Sequence, residues 1–297
     1  MSEIAGRIDR PLSRLAIVFG AMRSGTTSLF ANLSRHPEIA ACRYKEPGFF
    51  SNDDVWPNGL RWYEGLWDWD ARVHRVALEK STNYSKLDVF PQTVERLHSV
   101  APHVKLIYQM RNPLERIESH YTLELAKGWR HDPESLPIGR DRDVIETSLY
   151  AKQLAPYFER FPRENILLLR FEEFVTEPRA VLARVCRFLE VDERFEFHGA
   201  EQAHSSNAGR RPGEIGGLIY RHRWRIPFWN AIHRRLPPEA IARIRGLLSR
   251  SASSNVRLSE RQRQLALAEI SEDLRRLESE FGFDLSPWRL GPRSDPR

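Results

Sequence analysis

The sequence predicts an α/β protein with three layers: a central parallel sheet of about five strands between helices, with further helices at the C-terminal end. Three observations predict it. Short apolar runs recur along the chain, bounded by turn residues and separated by segments of helical periodicity. The runs are apolar throughout rather than alternating, as strands covered on both faces must be. The first run enters a helix directly through a glycine-rich loop.

Taken in order, Arg14-Leu-Ala-Ile-Val-Phe19 is the first buried strand, Gly20–Gly25 the loop, and Thr26–His36 a helix ended by Pro37. Strands follow at Ile39–Cys42 and Arg75–Glu79, then a helix over Pro91–Val100. Lys105-Leu-Ile-Tyr-Gln-Met110 is another buried strand. Pro113 stands where a first helical residue should be, with Leu114, Ile117 and Tyr121 at helical spacing behind it. One helix is expected over Ile145–Phe161, a strand over Asn165–Arg170, and a helix over Pro178–Leu189 whose apolar residues share one face. Ser259-Glu-Arg-Gln262 is a capping box. The stripe Leu267, Ile270, Leu274, Leu277, Phe281 follows, and Gly282 ends that helix. The 297 residues read as one domain, with an α/β core over 14–204 and a helical, arginine-rich extension over 205–297 packed on it.

The chain is 41% hydrophobic and 29% charged, which is ordinary for a soluble globular protein. Its longest apolar runs, Leu15–Phe19 and Ile166–Leu169, are strand-sized, so no transmembrane span is expected. Met1–Arg14 is polar and lacks an apolar signal core, which makes a cytoplasmic protein the expectation. Cys42 and Cys186 are too few for a disulfide scaffold or thiolate metal cage and read as buried thiols. The net charge of +6 favours anionic partners: nucleotides, sulfated or phosphorylated substrates, acidic lipid, nucleic acid. Only six of the 46 basic residues are lysine, which draws attention to those few.

Gly20-Ala-Met-Arg-Ser-Gly-Thr-Thr27 has P-loop spacing. Backbone N–H groups of such a loop converge on an anion, and the following helix adds its positive end. A nucleoside-triphosphate loop carries Lys where this chain has Thr26; the basic residue here comes earlier, at Arg23. Arg23, Ser24, Gly25, Thr26, Thr27 and Ser28 therefore form a candidate site for an anion other than a triphosphate. The plain alternative is a glycine turn with no ligand. A second candidate follows the Lys105–Met110 strand: Arg111, with Ser119 two turns into the next helix, makes a guanidinium-plus-hydroxyl clamp for phosphate. The alternative is an Arg111–Glu115 ion pair.

Together these two sites resemble the sulfotransferase superfamily that uses 3′-phosphoadenosine 5′-phosphosulfate. Gly20–Leu29 is similar to its 5′-phosphosulfate loop, and Leu106–Tyr121 to its 3′-phosphate motif, with Arg111 and Ser119 as the matching ligands. Lys45-Glu-Pro-Gly-Phe-Phe50 resembles the Lys-Glu-Pro-His-Phe-Phe element of the heparan-sulfate-type and bacterial branches, and Glu79-Lys-Ser-Thr-Asn-Tyr84 their Glu-Lys-Ser-Pro-x-Tyr. Phe161–Glu173, Phe188-Leu189 and Asp284-Leu-Ser-Pro-Trp288 fit the later core and the ending, so the likeness spans roughly residues 15–290. The departures are Arg23 where Lys is usual and Gly48 in place of the His.

The resemblance implies a P-loop-like fold and an in-line transfer that needs positioning and charge stabilisation but no metal. Arg23 would neutralise the leaving phosphate, Thr26, Thr27 and Ser28 would hydrogen-bond it, and Lys80 would supply a second cation. Glu46 would be the general base toward a hydroxyl or amine acceptor, its pKa raised in a partly desolvated cleft, with a salt bridge to Lys45 or Arg43 as the bland alternative. Tyr150 joins the donor-binding residues, and Gly209-Arg210-Arg211 is the candidate 3′-phosphate loop. The acceptor is a small molecule, glycan or lipid, with peripheral membrane contact open and no nucleic-acid partner expected. The aromatic stretch Val55–Asp70 reads as packing, and the Arg/Trp stretch over 210–250 as a basic face anchored by aromatics. The competing functions are a nucleotide-dependent kinase with an altered P-loop and a non-enzymatic polyanion binder.

Overall fold

The computed structural model describes residues 10–126, 142–199, 210–212, 249–251 and 256–291. Its centre is a five-stranded, all-parallel sheet ordered β2-β3-β1-β4-β5. The strands are β1 (Leu15–Gly20), β2 (Ile39–Ala41), β3 (Val76–Lys80), β4 (Lys105–Met110) and β5 (Ile166–Arg170). Period-two geometry divides each strand between two cores. Leu15, Ile17 and Phe19 face one apolar cluster; Ala16 and Val18 face the other. The second cluster is sealed by α1 (Thr26–Leu33) and α8 (Pro178–Leu189), which brings Val181, Leu182, Val185 and Leu189 onto the sheet.

The first cluster lies under α2 (Gly59–Glu64), α3 (Thr93–Val100), α4 (Pro113–Ala126), α5 (Arg142–Glu146), α6 (Tyr150–Arg160) and the long C-terminal α9 (Glu260–Phe281). The capping box at Ser259 and the left-handed Gly282 bound α9 as the sequence predicts. The aromatic stretch packs as expected. Tyr63 stacks on Phe49 at 4.5 Å, Trp67 meets Tyr63 edge-on, and Tyr63 and Trp67 are buried.

Three expectations need correction. The helix expected over Ile145–Phe161 is broken into α5 and α6. Arg116, fully buried, donates to the Val144 carbonyl and to Ser148 Oγ at 2.6 Å, so the Ser148 N–H turns to Ile145 O instead of continuing the i−4 ladder. The new helix start is then capped from a distance: the Asp273 carboxylate of α9 accepts the Ala151 and Lys152 N–H groups at 2.9 and 2.7 Å. Second, β3 ends one residue later than expected, so Lys80 is its last residue. A short α7 (Phe171–Thr176) follows β5 directly. Third, within the extension expected to be helical, Arg210 and Arg211 of the candidate 3′-phosphate loop fall in a short strand, β6 (Arg210–Pro212), which pairs antiparallel with β7 (Ser249–Ser251). Gly209 and the remainder of 200–255 lie outside the described residues.

Candidate active site

The strand order makes β3, β1 and β4 neighbours, so their carboxyl ends set Lys80, the glycine loop and Arg111 side by side. The loop after β1 is pinned from below. The Ala21 N–H donates to Gln109 O at 2.7 Å, Gln109 Nε2 to Ser24 O at 2.5 Å, and Arg116 Nη1 to Met22 O at 3.4 Å. Gly25, at φ 78°, opens α1 in the left-handed region, and a Cβ there would lie 2.5 Å from the Phe171 ring. Ser24 and Thr26 side chains are buried. Thr27 is exposed and Ser28 half-buried, so these two present their hydroxyls nearer the surface.

Arg23 also has positive φ, 73°, an unusual setting for a side chain of its size. Its Nε donates to Ser119 Oγ at 3.0 Å across 96 residues. Burial, and next the positive charge of Arg111, lower the Arg23 pKa from its ordinary value. Two cations that oppose each other in a partly dry site are a configuration that an anion relieves. Arg111 lies 5.0 Å over the Phe171 ring and pairs with Glu115 at 2.8 Å, so the bland alternative is present alongside the clamp. Tyr150 is fully buried, and its hydroxyl donates to the Arg111 carbonyl at 2.7 Å. It holds the backbone of the site.

On the other side of the loop, Lys80 is 3% exposed and donates both to Thr27 Oγ1, at 3.3 Å, and to the Glu46 carboxylate. Glu46 therefore pairs with Lys80, a lysine the sequence did not single out as its partner. Arg43 reaches Asp68 and the Gly65 carbonyl instead. Glu46 has φ 55°, so its backbone too is left-handed. Its environment is a lysine at the mouth of the anion loop, and a third of its side chain stays open to solvent.

The support under Glu46 went unread in the sequence. Glu79 is fully buried and accepts from the Tyr63 hydroxyl and from Ser81 Oγ at 2.6 Å. Ser81 Oγ in turn accepts the Gly48 N–H, and Tyr84 OH accepts the Phe50 N–H, both at 3.3 Å. Desolvation raises the Glu79 pKa, against hydrogen bonds from Ser81, Tyr63 and Tyr84 that lower it. The sequence signal for Glu79 and Gln109 was a polar residue inside a run otherwise apolar; Ser81 and Tyr84 stood in the Glu79–Tyr84 motif, and Tyr63 carried no signal.

Of the residues singled out from sequence, Arg23 bonds Ser119 with Arg111 beside it, Lys80 bonds Thr27 and Glu46, and the glycine loop that holds Arg23 and leads into Thr27 carries both groups. Among the described residues no helix is long and apolar enough to cross a membrane.

A family model described as "Sulfotransferase domain" matches residues 14–205. Human heparan sulfate glucosamine 3-O-sulfotransferase 6 is 29% identical over 239 residues, covering 74% of this chain and 67% of that protein. Mouse heparan sulfate glucosamine 3-O-sulfotransferase 3B1 is 33% identical over 199 residues, covering 62% of this chain and 49% of the relative. The chain thus spans about half to two thirds of the length of these relatives. A sulfotransferase from Alicyclobacillus acidocaldarius, solved by crystallography, superposes with a TM-score of 0.63 at 22% identity, covering 92% of this chain and 98% of that one. The α/β fold with its parallel sheet is shared with that structure, and the family match covers the strands and the loop that build the site. The chain belongs to the sulfotransferase family.

Proposed function

We propose that the chain transfers a sulfuryl group from 3′-phosphoadenosine 5′-phosphosulfate to a hydroxyl, with a glycan as the first acceptor class to test. The observation that carries the reading is Lys80, which bridges Thr27 on the anion loop to Glu46. One buried ammonium touches both the place where a phosphosulfate would rest and the carboxylate that would face an acceptor. The glycan choice rests on the curated relatives, which are named as heparan sulfate glucosamine 3-O-sulfotransferases.

The residues present fit such a donor. The loop lacks the Walker lysine and offers Arg23 and the Thr27 hydroxyl, with a cradle at Gly25 too tight for a Cβ. Arg111 and Ser119 stand on the other side of Arg23, where a second phosphate would be read. The donor supplies an activated sulfuryl group on a phosphate leaving group. Arg23 balances charge that grows on that phosphate, and Thr27 donates to it. Lys80 steadies the oxygens between donor and acceptor. Glu46 takes the acceptor proton, its left-handed backbone held by the bonds on Gly48 and Phe50.

Calorimetry with adenosine 3′,5′-bisphosphate in the absence of metal tests the donor site, beside AMP and ATP with Mg²⁺. Tight binding that needs the 3′-phosphate and falls in Arg111→Ala is the expected result; preference for ATP with Mg²⁺ would turn the reading to a kinase. Glu46→Gln should bind the bisphosphate as the wild type does and lower turnover by about tenfold or more. Near-normal turnover would remove Glu46 as the base.

A further inference from the structure

The family match ends at residue 205, yet the chain returns to the donor site at its far end. Trp288, in the coil after α9, is 3% exposed. Its indole Nε1 donates to Glu172 Oε2 at 3.0 Å, and the other oxygen of that carboxylate accepts the Asn112 N–H at 2.8 Å. Asn112 is the residue directly after Arg111. On the opposite side of the same stretch, Tyr150 OH holds the Arg111 carbonyl at 2.7 Å, and the Tyr150 ring lies 5.9 Å from the indole. Trp288 therefore touches both groups that grip the backbone around Arg111.

The arrangement is built in depth. Phe283 packs on Trp288 at 5.3 Å, Arg170 lies over Phe283 at 4.9 Å, and Arg170 also donates to the Asp284 carbonyl. Asp273 of α9 caps the helix that begins at Tyr150. The bonds of Arg170 to the Asp284 carbonyl and of Asp273 to the Ala151 and Lys152 N–H groups tie the C-terminal segment to elements that adjoin Arg111.

We propose that Trp288 is a positioning residue of the donor site: through Glu172 and Tyr150 it fixes the Arg111 backbone so that the guanidinium meets a 3′-phosphate. The segment 256–291 is then part of the nucleotide site as well as a cover for the core. This rests on the donor reading given above. Without the indole N–H, one Glu172 oxygen loses its partner and the carboxylate is free to rotate away from Asn112. A side chain that must hold a planar guanidinium in register is sensitive to such a shift. The 5′ side of the site hangs on Gln109, Arg116 and the loop itself, so it should not feel the change.

The test compares dissociation constants for adenosine 3′,5′-bisphosphate and AMP in the full chain, in Trp288→Phe, and in Trp288→Phe combined with Arg111→Ala. Trp288→Phe keeps a ring against Tyr150 and Phe283. It should weaken the bisphosphate about fivefold, a fraction of what a hydrogen bond to a carboxylate contributes because the loss reaches Arg111 only through Glu172, and leave AMP unchanged. On the Arg111→Ala background it should change neither. Equal losses for the two ligands, or a loss that persists without Arg111, would overturn the proposal. Should Trp288→Phe not fold, Glu172→Gln keeps the volume and turns an amide N–H₂ toward one of the two donors. It should show the same selective loss, and unaltered discrimination would overturn the proposal. A wild type that does not distinguish the bisphosphate from AMP would instead bring down the donor reading, and this inference with it.

Discussion

Replacing Glu79 with glutamine tests whether the buried hub under Glu46 is what the structure makes it. The wild-type carboxyl is fully buried and takes hydrogen bonds from the Tyr63 hydroxyl and from Ser81 Oγ. Glutamine has the same shape, but one of the two carboxyl oxygens, each of which keeps a lone pair for a hydroxyl even in the protonated acid, becomes an N–H₂ that accepts nothing. A buried donor left without an acceptor costs about 1–3 kcal/mol. The pH dependence then has a definite sign. Burial raises the Glu79 pKa above its ordinary 4.5, so the folded chain holds this proton more tightly than the unfolded chain does. The stability it contributes is fully present below 4.5 and is lost as pH rises through the raised value, by at most about 1.4 kcal/mol per pH unit. Glutamine does not titrate. Urea unfolding of both proteins, with equal m-values, should therefore show the wild-type advantage largest at about pH 4.5 and shrinking toward neutrality. A gap that widens with pH would mean that the fold favours the ionised carboxylate, which refutes the reasoning. Turnover should fall with the loosening of Gly48 and Phe50, while bisphosphate affinity holds.

Two further substitutions or probes bear on the same architecture. Gly25→Ala places a Cβ 2.5 Å from the Phe171 ring at φ 78°. It should cost about 1–2 kcal/mol for the left-handed backbone before any clash, and abolish bisphosphate binding by calorimetry; an alanine variant that binds normally would contradict the cradle. Burial pushes the Cys42 and Cys186 thiols up to about 12. At about pH 8 the native protein should give no rapid reaction with a thiol reagent and the denatured protein two equivalents; prompt native labelling would contradict their burial.

The fold was legible because its signals are local. Apolar runs of strand length located β1, β4 and β5, Pro113 marked the start of α4, and Ser259 and Gly282 bounded α9. The break between α5 and α6 was not legible, because its cause is Arg116, buried from a different helix against Val144 and Ser148. Periodicity at 145–161 carries no trace of a guanidinium that arrives from 30 residues away. The site divides the same way. Arg23 in a glycine loop and Arg111 after a strand could be singled out by residue type and place. The order β2-β3-β1-β4-β5, which no residue announces, decided that Lys80 would stand beside Thr27.

By itself the sequence determined most of the core elements, the anion loop without a Walker lysine, and the family to which these belong. Only the tertiary structure decided the partners: Glu46 with Lys80, Arg23 with Ser119, Glu79 with Tyr63 and Ser81, Trp288 with Glu172. The physical reason is range. Propensity, capping and hydrophobic period act over a few residues and are written where they act. A hydrogen bond or ion pair between buried groups depends on which strand ends and helix faces the packed core brings within about 3 Å.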